Sequence, residues 1–166
     1  MPQGPAARIT DNVAHPLPPV LTGGPTAVTV IIGNLPAWRG IAAAAAAALQ
    51  AAKKASEIKI EIAEKATLAA AGTPAQPGLK ATEETLKAAE AATMSAMISG
   101  AASGTDVHLC ATPLPLPPHG PGVVVDPSKT VIIAGMPAAR MGDTILEAIG
   151  PPNKIVKGEP TVIIGG

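Results

Sequence analysis

One phrase stands near both ends of this chain, and each copy lies beside an unfinished repeat. Near the N-terminus is "GPAARITD", with Pro5, Ala6, Ala7, Arg8 and Asp11; near the C-terminus is "MPAARMGD", with Pro137, Ala138, Ala139, Arg140 and Asp143. One type of apolar run recurs three times, as "TVIIGN" (29–34), "TVIIAG" (130–135) and "TVIIGG" (161–166). The first run leads into "LPAWRG", with Pro36, Ala37 and Arg39, and the second into the Pro-Ala-Ala-Arg phrase. The third run has no such phrase after it, and the N-terminus supplies one. Three units that complete one another in this way must close, which brings the two termini to the same edge. Closure also hides strand edges that Val/Ile-rich segments would otherwise expose. The expectation is a mainly β, pseudo-threefold body.

The repeat also locates an interruption. Arg and Asp lie three apart in two units, Arg8 to Asp11 and Arg140 to Asp143. No Asp follows Arg39 at that spacing, and the next candidate is Asp106 in "GTDVHLC". Residues 41–102, rich in Ala, Lys and Glu, are therefore expected as an insertion, with residues 1–40 and 103–166 forming one β domain. Ala, Leu, Lys and Glu favour helix, and "GTPAQPG" (72–78) breaks it. The reading is a helical hairpin, about 41–71 and about 79–101. Lys53–Glu57 and Glu61–Lys65 would be i,i+4 pairs. Leu79, Thr82, Leu86, Ala89, Thr93 and Ala96 would form the packing stripe of the second helix.

Composition narrows the function. Twelve basic and 12 acidic residues cancel, which gives no electrostatic case for nucleic acid or an anionic membrane. With one Trp and no Tyr or Phe, Val, Ile and Ala must build the core. The 19 Pro and 17 Gly alternate with tight apolar runs and so read as turn punctuation rather than disorder. The N-terminus lacks a signal-peptide core, and the Ala run after Ile41 is too short and too closely followed by charge to span a bilayer. The chain reads as soluble and made in the cytoplasm.

The three histidines and the single cysteine are His15, His108, Cys110 and His119. Four such side chains suit a closed structural zinc site, and iron would fit the same tetrahedral set. His108 and Cys110 are two apart, hence on one side of an extended segment. A zinc pin would serve a narrow vertex that has almost no core of its own. The alternative is scattered surface histidines and a buried, inert cysteine. Cys110 has no helix N-terminus to activate it as a nucleophile. Arg8, Arg39 and Arg140 are expected to pair with Asp or with turn carbonyls rather than to bind an anion.

These phrases, with the "TVIIGG" strands and the "HLC" element, resemble the PAAR-repeat proteins that tip the spike of bacterial type VI secretion systems. "AARITDNVAH" (6–15) is similar to the prePAAR motif, which completes a PAAR domain from the front. The resemblance covers residues 1–40 and about 103–166; "PAWRG" and the helical insertion depart from the family pattern. It implies a β cone whose broad base sits on the trimeric, valine-glycine-repeat spike protein. Near the point it implies a structural zinc held by His15, His108, Cys110 and His119. The function implied is a non-enzymatic spike tip, loaded in the bacterial cytoplasm and secreted through the apparatus into target cells. The hairpin would carry an effector, adaptor or chaperone. The alternatives are the PAAR part of a toxin effector whose C-terminal domain is absent, and a small metal-dependent hydrolase.

Overall fold

A computed structural model describes residues 2–14, 21, 29–102, 106–110 and 120–166 of the 166-residue chain. Three hairpins organise the β part. The first pairs β2 (Ile31–Ile32) with β3 (Leu35–Pro36), and the second pairs β6 (Ile132–Ile133) with β7 (Met136–Pro137). Each is joined by two residues of positive φ, Gly33 and Asn34 in one and Ala134 and Gly135 in the other. Positive φ at both central positions matches the twist of paired strands, so the arms stay in register. The third pairs β1 (Gly4–Ala6) with β10 (Glu159–Ile164), so its two arms come from opposite ends of the sequence. The three registers are equivalent: Ile31 faces Pro36, Ile132 faces Pro137 and Ile163 faces Pro5.

The units then join in a cycle. Isolated bridges pair Arg8 with Ala37, Arg39 with Ala138 and Arg140 with Ala6. The N–H of Trp38 donates to the Ala7 carbonyl (2.8 Å), that of Ala139 to Trp38 (3.0 Å) and that of Ala7 to Ala139 (3.0 Å). A second ring runs the other way: Ile9 donates to Pro36, Gly40 to Pro137 and Met141 to Pro5. Each unit hands on to the next and the last returns to the first. Only small side chains fit where three backbones come this close, and Ala6, Ala37 and Ala138 are buried there against Ile32, Ile133 and Ile164.

A four-stranded antiparallel sheet stands on these units, in the order β4 (His108–Cys110), β5 (Gly120–Val124), β8 (Thr144–Glu147), β9 (Asn153–Lys154). Strand alternation splits its faces. Val124 and Ile145 pack with Trp38, Ala7 and Ala139, while Val123 and Leu146 pack against the helices. Trp38 stands where the other units have Ala7 and Ala139, and this one ring fills the space between the alanine layer and the sheet.

The reading of a mainly β chain is corrected here. The helices α1 (Ala43–Ala69) and α2 (Gln76–Ala101) hold 27 and 26 residues, more than all the described strands together, so the architecture mixes helix and sheet. The strands are short because two-residue turns end them, whereas nothing in the Ala-rich segment stops a helix before Gly72. Helix α2 starts at Gln76, with Pro77 in its first turn, where the missing N–H costs nothing.

The expected packing stripe is also wrong: Thr82, Ala89, Thr93 and Ala96 are exposed. The buried positions of α2 are Glu83, Met94 and Ile98, facing Ala46, Leu49, Lys53, Ser56 and Thr67 of α1. Two demands set this face. Near the sheet, Met94 and Ile98 join Ile41, Leu49 and Leu146 in one apolar cluster. Farther out the helices meet through charge: Lys59 reaches Glu90 and Lys87 reaches Glu64, both at 2.8 Å, while Glu83 accepts from Lys80 and Lys87 within α2. Among the described residues no helix is long and apolar enough to cross a membrane.

Candidate functional site

Each letter of the repeated phrase has a separate physical task. The proline closes a hairpin opposite an isoleucine, and its carbonyl, free of any N–H on the same residue, receives the second ring of bonds. The first alanine fills the crowded centre, and the second carries the first ring. The arginine then ties its unit to the next one. Arg39 Nη1 donates to Ala134 O at 3.1 Å, Arg8 Nη1 to Gly33 O at 3.5 Å and Arg140 Nη1 to Gly166 O at 2.6 Å. In every case the acceptor lies in the turn region of the following hairpin.

The arginines are buried, and each has a buried aspartate. Arg8 pairs with Asp11, Arg140 Nε with Asp143 at 3.1 Å, and Arg39 Nε with Asp106 at 2.6 Å. Asp106 thus completes the Arg39 unit from beyond both helices, as the broken spacing suggested. Burial pushes Asp143 up to about 6 against the pull of Arg140, and it also raises Asp106 despite Arg39. Arg8 is raised, chiefly by its hydrogen bond to Asp11. All this hydrogen bonding is turned inward, toward carbonyls and carboxylates of the chain itself.

The outer surface of the three hairpins is apolar. Ile31, Ile132 and Ile163 are 55, 57 and 56 % exposed, while their neighbours Ile32, Ile133 and Ile164 are all buried. Equivalent registers put equivalent side chains at one depth, so the exposed isoleucines repeat around the cycle.

Of the expected metal ligands, His15 and His119 lie outside the described residues, and for Cys110 the backbone alone is described, at the end of β4. Gly120, which follows His119 in sequence, is the register partner of Cys110. His108 is buried, with Nε2 3.4 Å from Glu147 Oε1, and Asn153 Nδ2 donates to Glu147 Oε2 at 2.8 Å. Among the described residues no three His, Cys, Asp or Glu side chains group as a metal site. Sequence reasoning missed Glu147 and Asn153. The available signal was a lone carboxylate in the apolar strand "TILEA", which burial would force to find a partner.

Lys53 was read as the i,i+4 partner of Glu57. It is buried, with Nζ 3.0 Å from the Ala148 carbonyl and 3.9 Å from Glu57, and burial lowers its pKa. It fastens α1 to the end of β8.

Residues 114–166 match the family model described as PAAR motif. No curated protein sequence matches the chain. The match takes in the second hairpin, the alanines Ala138 and Ala139 and the Arg140–Asp143 turn, whose counterparts recur in cyclic register from the other units; the chain carries a PAAR motif.

Proposed function

We propose that the chain is a non-enzymatic spike tip of a type VI secretion system, a pseudo-threefold cone that caps the trimeric spike protein. The observation that carries this reading is the near-identical exposure of Ile31, Ile132 and Ile163. A monomer that offers one apolar residue at three equivalent positions suits the end of a threefold homotrimer, since each subunit then meets the same contact. Apolar side chains exposed as a set mark contact surfaces. The test is a pull-down with the trimeric spike protein. Replacing all three isoleucines with glutamate is expected to abolish capture and leave the circular dichroism spectrum unchanged. Undiminished capture overturns the reading.

We further propose that His15, His108, Cys110 and His119 hold a structural zinc. The donor chemistry fits: one thiolate and three imidazoles make a closed tetrahedral set with no position left for a reacting water. His108 is buried on the strand that also carries Cys110. When bound, zinc would cross-link these segments and contribute folding free energy.

The hairpin is proposed to carry cargo, namely an effector or its adaptor or chaperone. The support is an apolar groove of about 900 Å³ between the two helices and the turn after β8, with Ile60, Ala88, Ala91 and Ile149 in its walls. Ala91→Glu is expected to lose cargo from a co-purification that still retains the spike protein. Cargo retained by this variant would remove the hairpin from the role. The tip is loaded in the cytoplasm and leaves with the spike.

A further inference from the structure

We propose that the groove between the helices takes one helix of the cargo, with small apolar residues on its inward face and Lys or Arg on its flanks. That helix lies parallel to α2 and ends at Lys53. The inference rests on the cargo reading above and adds to it the chemistry and direction of what is carried.

Shape is the first observation. The groove is walled by Lys53, Glu57 and Ile60 of α1 and by Glu84, Ala88 and Ala91 of α2, and the turn at 148–151 closes its inner end. Both sets follow the same spacing, four residues and then three, which keeps side chains on one side of a helix for two turns. Two such stripes on neighbouring helices make the trough that a third helix fills in a bundle. Ala88 and Ala91 let a backbone come close, which favours small residues on the visitor.

The second observation is a buried cation at the closed end with donors to spare. Lys53 is buried, and an ammonium carries three N–H donors. Among the described residues one donor is taken, by the Ala148 carbonyl at 3.0 Å, while Glu57 stands 3.9 Å away, beyond hydrogen-bond reach. The last turn of a helix has the matching need. Its final carbonyls lack intrahelical donors and carry the negative end of the dipole. A lysine placed there serves both groups.

The third observation is the charge toward the open end. Beyond Lys53, four carboxylates, Glu57, Glu64, Glu83 and Glu84, stand against two lysines, Lys80 and Lys87. Lys87 is shared between Glu83 and Glu64, and Lys80 between Glu83 and Glu84. The excess is negative, and Glu57 and Glu84 carry it to the two rims with more than half of each side chain exposed. It suits the positive N-terminal end of a visiting helix and cationic side chains along its flanks. The inner cation and the outer carboxylates together set the direction, C-terminus inward. That is the course of α2, whose own last turns, with Ile98, pack beside the sheet.

The test pans a displayed library of helical peptides against the full chain, with Ala91→Glu as the counter-screen. Peptides retained by the wild type alone are expected to show apolar residues at i, i+3, i+4 and i+7 with Lys or Arg beside them. The best binder, synthesised, is expected to lose about tenfold in affinity to the double variant Glu57→Lys, Glu84→Lys, read by fluorescence anisotropy. A spin label at its C-terminus should broaden the Ile149 methyl signals, and one at its N-terminus those of Ile60. Acidic flanks, an affinity unmoved by the double reversal, or labels that broaden the opposite isoleucine overturn the inference. So does a wild type that retains no peptide, or one that fills its groove with a second copy, seen as a dimer that Ala91→Glu dissolves. Cargo that survives Ala91→Glu in the co-purification ends the cargo reading and this inference with it. Cargo lost in that variant while the peptides fail overturns this inference alone. Should the double variant fail to fold, the spin labels on the wild type decide.

Discussion

The cyclic β units and the helical hairpin both bury charge, but they use it in different ways. In the β units each buried arginine meets a buried aspartate and the turn region of the next hairpin, so the ionic contacts define how one unit sits on its neighbour. In the outer hairpin Glu83 is buried but pairs within α2, and the pairs that cross between the helices, Lys59–Glu90 and Lys87–Glu64, stay in contact with solvent. The first arrangement fixes geometry at a high desolvation cost that only complete pairing offsets. The second holds two Ala-rich helices that have little apolar area to share. Charge inside the cycle specifies shape, whereas charge on the hairpin supplies adhesion.

The largest expected effect tests the first half of that contrast. Arg140→Leu leaves Asp143 buried without its cation and removes the donors to Pro2 O, Gly166 O and Asp126 O. Breaking a buried pair from one side costs about 3–5 kcal/mol, so chemical denaturation should show a large loss. Lys65→Ala, which removes an exposed partner of Glu61, should barely move the midpoint. Comparable losses in the two variants would erase the distinction.

Next in size is the seam between the regions. Ile98 is fully buried in the cluster that joins Met94 and Leu49 to Leu146 and Val123. Ile98→Ala is expected to cost about 2–5 kcal/mol, and hydrogen exchange should show the loss in both α2 and β8. A loss confined to the hairpin would mean that the two regions unfold separately.

The smallest effect is one of sign. Burial raises Asp143 to about 6 in the folded chain, so the native state holds its proton more tightly than the unfolded one. Its contribution to stability is therefore fully present below the ordinary Asp value near 4 and is lost as pH rises through about 6. Glu83 behaves oppositely: hydrogen bonds from Lys80, Lys87 and Thr67 hold it down to about 2, so its contribution is present above the ordinary Glu value and lost as pH falls toward 2. Denaturation from pH 3 to 7 should lose opposite slopes in Asp143→Asn and Glu83→Gln. Slopes of the same sign would show that burial does not govern Asp143.

What could be read from the sequence follows the same division. The pairing of Arg39 with Asp106 was legible because two intact units gave the spacing and one broke it. The meeting of the N- and C-terminal strands was legible because each lacked what the other had. The helix faces were not legible, since alanine carries almost no hydrophobic preference for inside or outside. The true α2 face is marked by Glu83, a residue type that pattern reading assigns to solvent. Counting residues by element also misjudged the balance, because the two long helices outweigh the ten short strands of the described residues. At the candidate metal centre, His108 and Cys110 stood out by residue type. Glu147 did not, because its link to His108 exists only across three strands in register with a glycine in the middle.

The hairpin of β1 and β10 has a consequence for how the molecule is made. Its first arm emerges from the ribosome before either helix, and its second arm comes after nearly all the rest of the described chain. Until then β1 lacks its only strand partner among the described residues, so the third hairpin, and with it the closed set of three, forms only after synthesis has passed β10. The helices need no such wait, because their contacts are close in sequence. During translation the chain is therefore a finished helical pair carrying an open, sticky set of strand edges, and the interval before closure is when a chaperone would matter most.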